Sequence, residues 1–128
     1  MTSIYLIRHA EAEGNLFRRA QGHWNGKVTD RGRRQIDALA ERFRGGKIDA
    51  VYSSDLDRTV ATAGALLRGR ELELVTTPRL REINMGVWEG EPWGNITYRW
   101  PEQMYLFNNE PERWFVPGCE SFGEVQER

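Results

Sequence analysis

The sequence predicts an α/β fold built on a mostly parallel sheet. Three short apolar runs, at positions 3–7, 48–53 and 71–76, stop at polar or proline breaks, and two stretches between them repeat apolar residues at helical spacing. The resulting order is strand, helix, strand, helix, strand. Such alternation argues for parallel strands joined by right-handed crossovers.

Ser3 to Ile7 reads as the first strand. Ile4-Tyr5-Leu6-Ile7 has the length of a buried strand and stops abruptly at Arg8-His9. Glu11 to Asn25 is polar, with glycines at 14 and 22, and reads as a loop with room for one helical turn. Thr29 is placed to cap a helix. Ile36, Leu39, Ala40 and Phe43 then recur on one helix face, and Gly45-Gly46 supplies a stop. Ile48 to Ser53 reads as a second strand, ending at Ser53-Ser54-Asp55. The next helix is expected over Leu56 to Leu67, with Val60, Ala63, Leu66 and Leu67 inward. Glu71 to Thr76 reads as a third strand, closed by Pro78.

From Leu80 the composition changes. Residues 80–90 mix glycine, acid and aromatic side chains. Trp93 to Phe115 is rich in aromatics, with Pro101 and Pro111 as punctuation, and is expected to form short helices over one edge of the sheet. Packing is the favoured role for Trp88 and Trp93, and for Cys119 a buried or turn thiol. Ser121-Phe122-Gly123-Glu124 has the form of a capping box.

Composition narrows the function classes. The 128 residues suffice for one domain with a modest core. Eighteen Lys and Arg against nineteen Asp and Glu leave a net charge of -1, which supports neither nucleic-acid binding nor attraction to a membrane surface. The basic residues are mostly arginine, whose fork suits phosphate or carboxylate. One cysteine allows no disulfide within a chain, and no apolar run reaches membrane-spanning length. No leader is read at the start, and the expected setting is the cytoplasm.

In a parallel sheet the carboxyl ends of strands one and two open on one edge, where α/β folds bind ligands. Arg8 and His9 follow the first strand, and Arg58 lies in the first turn of the helix after the second. Two arginines, a histidine and a helix N-terminus converge there, and a phosphate or carboxylate is the natural ligand.

The residues at these positions carry a family likeness. Leu6-Ile7-Arg8-His9-Ala10-Glu11 with Asn15 resembles the strand-end signature of the histidine phosphatase superfamily, the phosphoglycerate-mutase-like fold. Gln21-Gly22, Val28-Thr29, Gly32 and Gln35 are similar to the loop and helix start that follow it. Ser53-Ser54-Asp55-Leu56-Asp57-Arg58-Thr59 with Thr62-Ala63 is similar to the second phosphate-binding segment, and Leu80-Arg81-Glu82-Ile83 with Gly86 and Trp88-Glu89-Gly90 to the segment bearing the proton donor. Pro117-Gly118-Cys119-Glu120-Ser121 is similar to a later turn. Ala10, Asn25, Lys27 and Cys119 depart from the commonest family residues. Two histidines are present, His9 and His23, and neither matches the family's second catalytic histidine.

The resemblance implies a three-layer αβα domain over 1–128, with a cap-like segment at about 90–118. It also leads to the expectation that this is an incomplete domain, lacking a C-terminal strand and its histidine. The 128-residue chain by itself is accordingly expected to be weak or inactive.

The activity implied is hydrolysis of small organic phosphomonoesters through a phosphohistidine, without cofactor or metal. His9 would be the nucleophile, Arg8 and Arg58 the phosphate clamps, and Glu82 the proton donor and acceptor. Asn15, Gln21 and Gly22 would contact the substrate. Glu82 would need burial or a neighbouring anion to stay protonated near neutral pH. A loop carboxylate is an equal reading of Glu11. A metal site from His9, Glu11, Glu13 and His23 can be drawn from sequence but is disfavoured. Partners are expected to be small phosphomonoesters, with no nucleic acid or membrane, on a monomer or homodimer. Two other functions stay open: a phosphoglycerate mutase of the same chemistry, and a non-catalytic phosphate-binding module. The mutase usually carries a different pattern around the proton donor than Leu80 to Gly90.

Overall fold

The structure is a computed structural model describing residues 1–128. The elements run α1 (Glu13–Leu16), α2 (Asp30–Arg42), β1 (Val51–Ser53), α3 (Asp57–Leu67), β2 (Leu74–Thr76), α4 (Trp93–Arg99), α5 (Pro101–Asn109) and α6 (Phe122–Glu127), with short 3-10 turns at Pro78–Leu80, Gly86–Trp88 and Pro111–Arg113. β1 and β2 pair in parallel, with Val51 opposite Leu74 and Ser53 opposite Thr76. The helix joining them, α3, packs on both strands and on α2. This is the α/β arrangement with parallel strands that the alternation predicts.

Local signals translate directly. Thr29 caps α2, its Oγ1 accepting from the Gly32 N–H at 3.0 Å. Ser121 and Glu124 form the capping box of α6, each side chain accepting from the other's backbone N–H at 3.1 and 2.7 Å. Gly32 is required by a close approach, since a Cβ there would lie 2.1 Å from the Glu11 carbonyl oxygen. That contact brings the start of α2 against the segment following His9.

Three expectations are corrected. Residues 3–7 form no strand, and Ile4, Tyr5 and Leu6 are exposed. A strand exists through its ladder, and no other segment of this chain pairs with residues 3–7. The second and third strands are shorter than the apolar runs suggest, because each persists only where the other lies opposite it. The inward face of α3 is also rotated. Arg58, Thr62, Ala63 and Ala65 are buried, while Val60, Leu66 and Leu67 are only half-buried. Thr62 accepts from the Ala10 N–H across the interface while its hydroxyl donates to the Arg58 carbonyl one turn back in its own helix, and that polar fit turns Thr62 inward.

Two apolar clusters form. Ala10, Ile36 and Ala65 join the strand-end segment to α2 and α3. The larger cluster gathers Ala20, Ile83, Met85, Trp88, Ile96, Trp114 and Val116, with Trp93 and Phe107 against it. Trp88 is completely buried and lies 5.4 Å from the ring of Trp114 and 5.8 Å from that of Phe107. Tilted and edge-on pairs of this kind add about 0.5–1.5 kcal/mol each beyond their buried area. Trp88 therefore packs. Its cluster supports the segment from Glu82 to Gly90, which carries the Glu82 and Glu89 carboxylates.

Candidate active site

The segment after residue 7 is held by hydrogen bonds. The His9 Nδ1 lies 2.8 Å from the Ala10 carbonyl oxygen. A carbonyl only accepts, so Nδ1 carries the proton and Nε2 keeps its lone pair. His9 is half-buried, and its pKa sits below the ordinary histidine value. Burial is the main cause, and the Arg58 and Arg8 charges add to it. The Ala10 carbonyl bond and the Glu82 carboxylate act in the other direction. The neutral, nucleophilic ring is the net beneficiary.

Ala10 fixes the segment in the core. Its methyl packs with Ile36 and Ala65, which accounts for an alanine where a glycine is common. Its N–H donates to Thr62 Oγ1 at 2.9 Å, and the Thr62 hydroxyl donates to the Arg58 carbonyl at 2.7 Å. Thr62→Val keeps the shape but leaves the buried Ala10 N–H without an acceptor. The expected loss is about 1–3 kcal/mol of unfolding free energy. Denaturant unfolding checks this, and a loss under about 0.5 kcal/mol, the spread of neutral surface changes, contradicts it.

Arg58 is 2% exposed, in the first turn of α3. Its Nη1 donates to the Trp24 carbonyl at 2.9 Å and its Nη2 to the Gly22 carbonyl at 2.7 Å. Its Nε is buried and has no partner. Burial lowers the Arg58 pKa, and the Glu82 and Glu89 carboxylates oppose that shift. An arginine nevertheless remains charged. The guanidinium is thus fixed by the loop carbonyls, with Nε the one nitrogen left without a partner.

Glu82 is exposed, its Oε1 accepting from the Ile83 N–H at 2.9 Å. Its charge acts on both His9 and Arg58. The flanking backbone is tied on every side. Arg81 makes a two-pronged pair with Asp55 at 2.6 Å for each bond. Glu120 accepts from the Asn84 N–H at 2.8 Å, and Arg128 donates to the Glu82 carbonyl at 3.1 Å. The aromatic side chains do not bury this carboxylate. They pack among themselves, as Trp88 shows.

The other expected residues divide. Arg8 is exposed and makes no hydrogen bond or ion pair. The Asn15 Oδ1 accepts from the Ala12 N–H at 3.0 Å and faces Gln21 Nε2 at 3.3 Å. That bonding leaves the Asn15 amide nitrogen available. Gln21 keeps a buried Oε1 without a partner. Gly22 is buried, with its carbonyl engaged by Arg58, so it acts on the site through that arginine. The four residues drawn as a metal site are separately occupied. Glu11 accepts from the Thr29 hydroxyl at 2.7 Å and Glu13 from the Lys27 N–H at 2.9 Å. His23 lies 3.6 Å from Glu120. Sequence reading placed Thr62 in the second phosphate-binding segment without giving it a role, and it missed the carbonyls of Gly22 and Trp24, which leave no trace in residue type.

The comparisons with known proteins can now be placed beside this geometry. The profile of the histidine phosphatase superfamily (branch 1) matches residues 4–128. The chain is 40% identical over its whole length to a Yersinia pestis protein named "Probable phosphoglycerate mutase GpmB", of which it covers 60%. The structure of Bacillus stearothermophilus YhfR superposes with a TM-score of 0.86 at 32% identity, covering 94% of this chain and 59% of that one. The alpha-ribazole phosphatase of Shigella flexneri superposes with a TM-score of 0.83 at 27% identity, covering 94% and 60%. The chain thus spans about 60% of the length of the curated relatives it matches.

Proposed function

Because the chain belongs to the histidine phosphatase superfamily, branch 1, we propose that the full-length protein is a phosphomonoester hydrolase working through a phosphohistidine on His9. One observation carries the reading. The His9 Nδ1–H is spent on the Ala10 carbonyl, which leaves a lone pair on Nε2 within the field of Arg58, Arg8 and Glu82.

In the first step the Nε2 lone pair attacks phosphorus and the bond from phosphorus to the leaving oxygen breaks. Glu82 gives that oxygen its proton. In the second, Glu82 takes a proton from water, the water oxygen bonds to phosphorus, and the phosphorus–nitrogen bond breaks to release phosphate. Arg8 and the free Nε of Arg58 hold the phosphoryl oxygens, and the Asn15 amide donates a further hydrogen bond. The substrate is a small organic phosphate. No helix is long and apolar enough to cross a membrane, and with one cysteine this supports a cytoplasmic setting.

The test is a chemical trap. Incubation with a phosphorus-labelled aryl phosphate and rapid quenching should leave an acid-labile, base-stable adduct on His9. Binding of phosphate without any such adduct leaves only a non-catalytic module. The 40% identity to a protein named as a mutase favours a second reading, in which the phosphoryl group returns to a phosphoglycerate instead of passing to water. Exchange between phosphoglycerates separates the two.

The electrostatics make a further prediction. Since burial and the two arginines lower the His9 pKa, its ring should titrate below pH 6.5 in the phosphate-free protein. Arg8→Ala removes one of the lowering charges and should move the midpoint upward. NMR titration of the imidazole reads both, and an unshifted midpoint in Arg8→Ala contradicts the arrangement.

A further inference from the structure

Glu89 has no assigned role, yet its carboxylate sits at a junction. Its Oε1 accepts from the His23 N–H at 2.7 Å and from the Met85 N–H at 3.0 Å. The first bond reaches the loop that holds Arg58. The second reaches the turn that follows Glu82. One oxygen therefore joins the loop that holds Arg58 to the turn that follows Glu82.

The first bond has a specific consequence. The His23 N–H and the Gly22 C=O belong to one peptide group, and the peptide is trans, so they point in opposite directions. The N–H faces the Glu89 carboxylate, and the C=O accepts from Arg58 Nη2 at 2.7 Å. This peptide dipole lies between a carboxylate and a guanidinium with each end toward its opposite charge. Turning it over would aim a carbonyl at Glu89 and an N–H at Arg58, both repulsive. Gly22 makes the orientation accessible through its left-handed backbone, φ +46°. A Cβ there would also lie 2.4 Å from Glu89 Oε1.

We infer that Glu89 is a positioning residue, which orients the Gly22–His23 peptide and through it holds Arg58 with its Nε turned to the phosphate. This rests on the reading of the site as a phosphate pocket. The sign of the effect sets it apart from simple electrostatics. A carboxylate near an anion site repels the anion, so removing it would tighten phosphate binding if through-space charge were its only action. Positioning predicts weaker binding.

The experiment is a titration of the protein with inorganic phosphate, following the Arg58 Nε–H signal by NMR, with three variants. Glu89→Gln keeps an acceptor oxygen at the same reach and loses the charge, and it should bind phosphate within about twofold of wild type. Glu89→Asp keeps the charge but withdraws the oxygen by one methylene. It should bind about tenfold more weakly, with the Arg58 signal displaced even before phosphate is added. Glu89→Ala should behave like Glu89→Asp. If Glu89→Ala fails to fold, the Gln and Asp pair decides. Wild-type affinity in Glu89→Asp, or tighter binding in Glu89→Ala, overturns the inference. If the wild-type protein binds no phosphate, the pocket reading fails, while the phosphate-free Arg58 signal in Glu89→Asp still decides whether Glu89 positions the guanidinium.

Discussion

His9→Ala abolishes the phosphohistidine adduct and lowers the single-turnover rate with an aryl phosphate by a factor on the order of 10³–10⁶. The substitution removes the attacking nitrogen, and the other histidine, His23, lies on a separate loop with its Nε2 3.6 Å from the Glu120 carboxylate. The fold should survive the change. The ring is half-exposed, and its hydrogen bond goes only to the carbonyl of the next residue. The contacts that anchor the segment belong to Ala10 and Thr62, which the substitution leaves alone. Unfolding free energy should therefore stay within about 1 kcal/mol of wild type. Stopped turnover with an unchanged melt identifies a chemical role. A variant that still turns over within about tenfold of wild type, the scale of a lost positioning contact, removes His9 from the mechanism.

How far such a site can be read from sequence depends on whether its parts are local. The cap at Thr29 and the box at Ser121 and Glu124 were legible because each closes within one helical turn. Arg8, His9, Arg58 and Glu82 could be proposed from sequence because each lies in a short contiguous motif. The limits of the strands were not. The run Ile4 to Ile7 has every local mark of a strand, yet a ladder requires a neighbour and no segment of this chain lies beside it. The buried side of α3 was misread for another reason. Apolar size favours Val60, Leu66 and Leu67, but the helix turns Thr62 inward because its hydroxyl completes the Ala10 N–H. The partner of the histidine ring and the partners of the arginine proved to be backbone carbonyls. Any residue can present a carbonyl, so no residue type marks the place.

Those carbonyls govern what Arg58→Ala should do. The variant removes a buried cation that spends two nitrogens on the Trp24 and Gly22 carbonyls and keeps the third free. Two losses follow. Without a donor aimed at the developing charge on the phosphoryl oxygens, kcat should fall by roughly 10²–10³. Each carbonyl left buried and unpaired should cost about 1–3 kcal/mol of stability. Arg58→Lys separates the two. Lysine restores the charge, but its compact ammonium on a flexible stem lacks the planar fork that spans both carbonyls and still presents an Nε–H. It should recover part of the stability and little of the rate. Added guanidinium ion should raise the turnover of Arg58→Ala and leave that of His9→Ala unchanged, because it can refill the space of a side chain that stabilises charge and cannot substitute for a nucleophile. A rate in Arg58→Ala within about tenfold of wild type, or equal rescue of both variants, would show that the guanidinium serves the loop alone.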